Sequence, residues 1–364
     1  MIESFTIISG IIAFFSIFFN WSIPLKQFIF WIFLISLIFF DGLRWETGTD
    51  WQNYHDAFAN MLERGQPGFE IGFVLYTWII RNLTDDYSIY LFITTAIIYI
   101  GIFYAIFRIT NYSFISILYL TSVIPWYSGS LRQMMASVFF ITALTFVYKK
   151  KLLKFLATMT IGALFHSTIF PFFIIYWLFG ASFFSFTVLG LLLIVSSSII
   201  TFFIEKIDLL INLVKPGTSF QNRVGGNLDE SSPAFGLIRK VLTVSLNFVF
   251  FKYAIIKTLF NDRMELNKIK FFLYLSSFSL IFYIVGTFFI THVSSRLDIY
   301  TGIICLAIFL GLMEKHIRSR KHLLYLYVFV VFLCVIFYMR LGYLDLFHPY
   351  KSIFYNIDYK RDLY

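Results

Sequence analysis

Runs of about twenty apolar residues recur from one end of this chain to the other, and nothing else limits its folding as strongly. They fall at about 4–20, 27–40, 87–107, 112–127, 131–148, 152–180, 183–204, 237–257, 270–291, 295–313 and 322–339. A helix of that length crosses the hydrocarbon core of a bilayer, where every backbone polar group must be bonded internally. Composition agrees: 59% of the 364 residues are hydrophobic and 13% charged, and 49 Phe with 23 Tyr exceed what a soluble core can hold. The expected fold class is all-α, a polytopic transmembrane helical bundle forming a single domain over residues 1–364. Residues 1–20 carry Glu3 but no Lys or Arg, and no small-x-small cleavage site follows Asn20-Trp21. They read as a retained first helix rather than a signal peptide.

Charge sets the expected topology. Lys149-Lys150-Lys151 with Lys154, Arg263 with Lys268 and Lys270, and Lys315 with Arg318, Arg320 and Lys321 are dense basic connections. All should face the cytoplasm. Keeping the first two on one side requires an even number of crossings between them. The run 152–180, interrupted by Phe165-His166-Ser167-Thr168 and Pro171, is therefore split into a pair turning near His166, with a re-entrant hairpin as the other possibility. About twelve spans result, with both termini outside. Outer-face loops at about 41–86 and 205–236 carry short interfacial helices, and the second is read as a substrate lid or a passive connector. The segment 69–84 is too short to span.

The densest polar stretch runs from Arg44 to Tyr54, with one cation, two carboxylates and three aromatics in eleven residues. Thr49 and Gln52 have capping-box spacing, which predicts a helix from Trp51 that Gly65 stops. Asp50 and Tyr54 then lie one turn apart near free backbone N–H groups, where an anion could be met by those groups and Arg44. A well-capped helix on a loop explains the same residues. Glu70, Arg132, His166 and Arg296 also fall at outer mouths of spans, where an ionisable group marks a site unless it snorkels to water. Arg132 opens a helix, an unfavourable place for a cation unless an anion joins it. His166 is either a hydrogen-bonded turn residue or a base. Arg296 and Tyr300, one turn apart, form either an internal ion-pair site or a phosphate clamp.

Several chemistries lack their signatures. Cys305 and Cys334 each lie inside an apolar run, so no disulfide framework or metal cluster is implied. His-Glu-x-x-His, a nucleotide Gly loop and Gly-x-Ser-x-Gly are absent. The net charge of +9 suits cytoplasmic Lys and Arg, and no basic tract suits nucleic acid.

Arg44-x-Glu46-x-Gly48-Thr49-Asp50-x3-Tyr54, Glu70 before Gly72-Phe73, Ser130-Leu131-Arg132-Gln133 with Ala136, and Phe165-His166-Ser167 together resemble the EpsG family of Wzy-like polysaccharide polymerases over roughly residues 30–180. Arg296-x3-Tyr300 and Pro349-Tyr350-Lys351 are similar to features of the wider Wzy group. The resemblance implies a glycosyltransferase of the bacterial cytoplasmic (inner) membrane that works on its periplasmic or extracellular side. It would join undecaprenyl-pyrophosphate-linked oligosaccharide repeat units, donor and acceptor, into O-antigen or exopolysaccharide. Arg44, Arg132 and Arg296, with Tyr54 and Tyr300, would hold substrate and pyrophosphate. His166 is the first candidate for the base, with Asp50 or Glu70 next. Trp45, Trp51, Tyr54, Trp126 and Tyr127 could stack on sugars. No metal or other cofactor is required. Expected partners are membrane lipid, a chain-length regulator and a flippase, and no nucleic acid.

Three other classes compete. A flippase or transporter of lipid-linked sugars should show midplane polar residues and paired halves, whereas charge here sits at one side and no repeat is visible. An O-acyltransferase would need an inner-face donor site. A glycan ligase shares nearly the same chemistry.

Overall fold

The computed structural model describes residues 2–19, 21–48, 50–64, 69–182, 185–186, 188–190, 192, 233–258, 263–288, 296–317, 319–339 and 350–355. Their backbone is almost entirely helical, and among them no strand forms beyond isolated bridges joining Arg44 to Ser352 and Ser352 to Tyr355. Five helices of the described residues are long and apolar enough to cross a membrane: Ile23–Gly42, Tyr87–Ile109, Leu131–Tyr148, Arg296–His316 and Arg320–Tyr338. Shorter apolar helices cover Ile2–Phe18, Ile71–Arg81, Phe114–Tyr127, Leu152–Phe165 and Ser167–Leu178. The chain is thus an all-helical membrane protein. Thr49, Gly65, Pro349 and the expected lid from 205 to 232 lie outside the described residues.

Two compact units form, one of Met1–Phe173 with Leu310–Tyr364 and one of Ile174–Phe309. The first holds α1 (Ile2–Phe18), α2 (Ile23–Gly42), α3 (Trp51–Ala59), α4 (Met61–Arg64), α5 (Ile71–Arg81), α6 (Tyr87–Tyr99), α7 (Ala105–Ile109), α8 (Phe114–Val123), α9 (Leu131–Tyr148) and α10 (Leu152–Phe165). The second holds α11 (Ile175–Leu178), α12 (Pro233–Thr258) and α13 (Arg263–Phe288). The chain returns to the first unit along α14 (Leu306–His316) and ends there with α15 (Arg320–Met339).

Sequence explains these elements locally. The Ser22 hydroxyl accepts from the Leu25 N–H and Pro24 sits in the first turn, so α2 starts where its cap and its proline direct. One face of α2 buries Phe30, Phe33, Leu34, Leu37 and Asp41, while Phe28, Ile32, Ile35 and Phe39 stand exposed at helical spacing. A stripe of large apolar side chains held outward suits lipid rather than water. Every residue of α8 is buried, with α1 and α15 packed on it. A π-helical turn, Ile100–Tyr104, links α6 to α7 and brings the chain close to α9. A Cβ on Gly101 would stand 2.5 Å from Val138, so only glycine lets the two backbones approach there.

Helix ends of the first unit sort into two sets. At one end Gln27 donates to the Tyr112 hydroxyl at 3.0 Å, and the Glu314 carboxylate accepts from Ser113 and from the Ile115 N–H. At the other end Thr6 meets Tyr338 at 2.7 Å, Ile2 packs near Trp126, Arg44 reaches Ser128, and Glu70 reaches Ser167. The eighteen residues of α9 span about 27 Å. Lys149-Lys150-Lys151 therefore lie at the end opposite Arg132.

Of three local expectations, the first holds in part and the other two agree with the structure. A helix does start at Trp51, but Gln52 donates to Asp56 at 2.7 Å instead of reaching back to a cap, and α3 stops at Ala59. The Gln52–Asp56 spacing is i,i+4, so the two side chains lie on one face and satisfy each other. The segment 69–84 forms α5, whose eleven residues reach about 16 Å, well short of a bilayer core. The run 152–180 breaks at His166, where α10 gives way to extended backbone and then to the 3-10 helix Ser167–Ile174.

Candidate active site

Four side chains that are far apart in sequence meet at the Arg44 end of the first unit. Glu70 immediately precedes α5, Arg132 sits in the first turn of α9, His166 follows α10, and Tyr54 is the fourth residue of α3. Arg132 Nη1 donates to Glu70 Oε2 at 2.7 Å. Arg132 Nε and its backbone N–H face the Tyr54 hydroxyl at 3.4 and 3.5 Å. The guanidinium lies 4.3 Å over the ring of Phe69, a cation–π contact. On its other side, Glu70 Oε1 accepts from the Ser167 N–H at 3.2 Å and stands 3.9 Å from His166 Nδ1.

The packing that allows this is tight. A Cβ on Gly72 would come within 2.7 Å of the Leu164 carbonyl oxygen, so α5 rests directly on the last turn of α10. That contact sets Glu70 beside Ser167. The cation that the start of α9 disfavours finds its anion inside the protein. Arg132 and Glu70 keep 21% and 22% exposure, and Arg132 Nη2 has no partner among the described residues. One terminal nitrogen of the cluster can therefore still take a ligand oxygen.

Protonation follows from these contacts. Burial pulls the Glu70 carboxyl upward, but its own backbone N–H, Arg132, His166 and the Ser167 N–H outweigh that and hold it below the usual 4.5. Burial raises the Tyr54 hydroxyl against the pull of Arg132, so it stays protonated. His166 Nδ1 accepts from the Thr168 N–H at 3.2 Å and lies 3.0 Å from the Thr168 hydroxyl.

Arg44, expected to hold pyrophosphate, is 2% exposed, with both terminal nitrogens engaged within the protein and Nε buried without a hydrogen-bond partner among the described residues. Nη1 donates to Asp41 Oδ2 at 3.0 Å and to the Asp41 carbonyl at 2.7 Å, and Nη2 donates to the Ser128 carbonyl at 2.8 Å. Tyr99 donates to Asp41 Oδ2 at 2.8 Å. Two elements are tied together: the loop after α2 and the loop that leads to Arg132. Gly48, at φ 105°, lies against Gly129, where a Cβ would sit 3.1 Å from its Cα. The C-terminal segment closes the same loop from outside. Trp45 N–H donates to the Lys351 carbonyl at 3.0 Å, Lys351 pairs with Glu46, and Tyr350 stacks on Phe40 at 4.3 Å.

The remaining expected residues divide. Asp50 directly precedes α3, and its charge acts on the Tyr54 hydroxyl, so it borders the cluster. Trp51 stacks on His55 at 5.0 Å with Trp45 edge-on, beside the cluster, whereas Trp126 packs into the core near Ile2 and Tyr338. Arg296 and Tyr300 belong to the second unit, where Arg296 is exposed and Tyr300 fully buried. Asp298 beside them pairs with Lys240 at 2.6 Å. Asp41, Tyr99 and Phe69 escaped the sequence reading as members of this network, and Lys351 entered it only within the Pro349-Tyr350-Lys351 resemblance. Asp41 alone left a local signal, a carboxylate ending an apolar run three residues before an arginine. Among the described residues no group of three or more His, Cys, Asp or Glu could hold a metal ion.

Neither a curated protein nor a solved structure matches the chain. The EpsG family model matches residues 27–352, well past the 30–180 region in which the motifs lie and as far as Tyr350 and Lys351. A match that takes in the spans, the Arg132 cluster and the segment that closes it places this chain in the EpsG family, a membership that suggests polysaccharide-polymerase-like work in the membrane.

Proposed function

We propose that the protein is a glycosyltransferase that polymerises oligosaccharide repeat units carried on undecaprenyl pyrophosphate, at the outer face of the bacterial cytoplasmic membrane. The observation that carries this reading is the meeting of Arg132, Glu70, Tyr54 and His166 at one end of a helical unit whose opposite end bears Lys149-Lys150-Lys151. Lysine-rich connections stay cytoplasmic, so the cluster faces outward.

The reaction needs three things from such a site. The acceptor hydroxyl oxygen attacks the anomeric carbon of the donor, the bond from that carbon to the phosphate oxygen breaks, and undecaprenyl pyrophosphate leaves with the electron pair. Arg132, through Nη2, meets the developing negative charge, and a guanidinium fits phosphate oxygens well. Glu70, ionised and 2.7 Å from Arg132, takes the hydroxyl proton. His166, the other candidate for the base, stands 3.9 Å from Glu70, and Tyr54 orients the arginine through its hydroxyl. Asp50 is the second carboxylate within the same neighbourhood. Arg44 and Asp41 act as positioning residues, since their pair ties the Ser128 loop that leads to Arg132. Trp45 and His55 offer aromatic faces for sugars beside the cluster, with the buried Trp51 packed between them. Arg296, exposed in the second unit, is retained as a phosphate-binding residue, whereas the buried Tyr300 is not within reach of a ligand. A chain-length regulator and a flippase are the partners such a reaction calls for.

Surface glycolipid from cells carrying Arg132→Ala tests the reading. The expected gel shows single-repeat glycolipid and no ladder while the protein still accumulates in the membrane. A normal ladder removes Arg132 from the mechanism, and loss of the single-repeat species itself would point to transport rather than polymerisation.

A further inference from the structure

The second unit contains a cavity of about 280 Å³, lined by Leu178, Gly180, Ala181, Ser182 and Phe186 on one wall and by Asn267, Lys270, Phe271 and Tyr274 on the other. We infer that it is a binding site for a phosphate-ester headgroup, distinct from the Arg132 cluster and independent of the reading given for that cluster.

The argument starts from spacing. Asn267, Lys270, Phe271 and Tyr274 stand at i, i+3, i+4 and i+7 of α13 and so share one face. The facing wall is a tight turn: Gly180 takes φ 83°, and the Ala181 N–H bonds back to the Leu178 carbonyl at 3.0 Å. A side chain substituted at that φ would be strained.

Partners decide the chemistry. Lys268, two residues before Lys270, is neutralised by Glu265 at 2.6 Å. The Lys270 ammonium has no carboxylate among the described residues, and the Asn267 amide makes no side-chain hydrogen bond there. A half-buried ammonium and a half-buried amide that line one cavity without protein partners leave donors to be met by a ligand. Ser182 and Tyr274 add hydroxyls, which gives a point cation with several neutral donors around it. A phosphate with several oxygens satisfies that set, and the Asn267 carbonyl can accept from a headgroup hydroxyl.

Size and surroundings narrow the ligand. A cavity of this volume lies at the lower end of small-molecule pockets, which run from about 300 Å³ upward. It has room for a headgroup but not for its tails. Phe186, Phe271 and Tyr274 form an apolar shoulder, with Phe186 and Tyr274 rings 5.0 Å apart. Trp177, just before the turn, is 60% exposed, as an aromatic anchor at a membrane–water boundary would be. Basic pockets at helix ends on the cytoplasmic side are where anionic headgroups collect.

Binding to the full-length protein in nanodiscs tests this, with phosphatidylglycerol, phosphatidylcholine and glycerol 3-phosphate as probes. The expected result is saturable phosphatidylglycerol binding that Lys270→Gln weakens at least tenfold, that Asn267→Ala weakens several-fold, and that Lys270→Arg retains. Arg132→Ala, which lies outside this cavity, leaves that binding unchanged. Glycerol 3-phosphate competing at similar affinity assigns the cavity to free phosphate esters, and competition by the lipid alone assigns it to the bilayer. Equal binding of phosphatidylcholine, or undiminished phosphatidylglycerol binding by Lys270→Gln, overturns the inference. If Lys270→Gln does not fold, Asn267→Ala decides.

Discussion

Replacing Glu70 by glutamine keeps the shape of the side chain and an oxygen for the Ser167 N–H, but removes the charge that faces Arg132 at 2.7 Å. Both partners keep about a fifth of their surface in solvent, 21% and 22%, so water screens the pair. The stability lost is then about 1 kcal/mol, the upper end of the range for partly exposed ion pairs. A general base contributes about 10²–10⁴-fold to rate, or about 2.7–5.4 kcal/mol of barrier. The two effects differ enough to be measured apart. Initial rates of polymerisation from purified lipid-linked repeat units, with the protein in nanodiscs, read the second, and thermal unfolding reads the first. Glu70→Gln should lose at least 100-fold in rate and only a few degrees in unfolding temperature. Donor affinity should hold or tighten, because Arg132 then has no competing carboxylate. A rate within threefold of the wild type would refute the assignment of Glu70.

The pH profile follows from the same group. The Glu70 carboxyl is held below 4.5, so it is ionised throughout the neutral range. Its stabilising contribution is present above 4.5 and is lost as pH falls through the lower folded value. The acid limb of the rate should therefore lie below pH 4.5; a limb centred between 6 and 7 would move the proton to an imidazole. Asp41→Asn, which strips a 2%-exposed arginine of its counter-ion, should cost about 3–5 kcal/mol in denaturant unfolding. A loss under 1 kcal/mol would mean that Arg44 finds another partner. Gly72→Ala drives a methyl against the Leu164 carbonyl at 2.7 Å and should destabilise by about 1–3 kcal/mol while separating Glu70 from Ser167. Unchanged unfolding and rate would show that α5 does not rest on α10 as closely as the geometry states.

Helix class, the start at Trp51 and the break at His166 were legible because each depends on neighbours within a turn or two. The apolar period marks the spans, and a polar interruption beside Pro171 marks the break. The meeting of Glu70, Arg132 and His166 was legible in a weaker sense, as charges sharing one side. Their pairing was not, because it depends on α5 lying against α10, and Gly72 looks like any other glycine in sequence. The Arg44–Asp41 pair was missed for a related reason. Asp41 lies just past the apolar run 27–40 and was not weighed as a partner for Arg44. Lys351 with Glu46 spans 305 positions, and no local pattern announces a contact that distant. Gln52 satisfied a capping-box template, yet Asp56 one turn on is the nearer partner on the same face.

Equilibrium binding of a polyprenyl pyrophosphate to the protein in nanodiscs puts the central assignment to the most direct trial. The wild type should bind it saturably, and Arg132→Ala should bind it at least 100-fold more weakly while unfolding at a similar temperature. An Arg132→Ala protein that binds as tightly as the wild type would contradict the account.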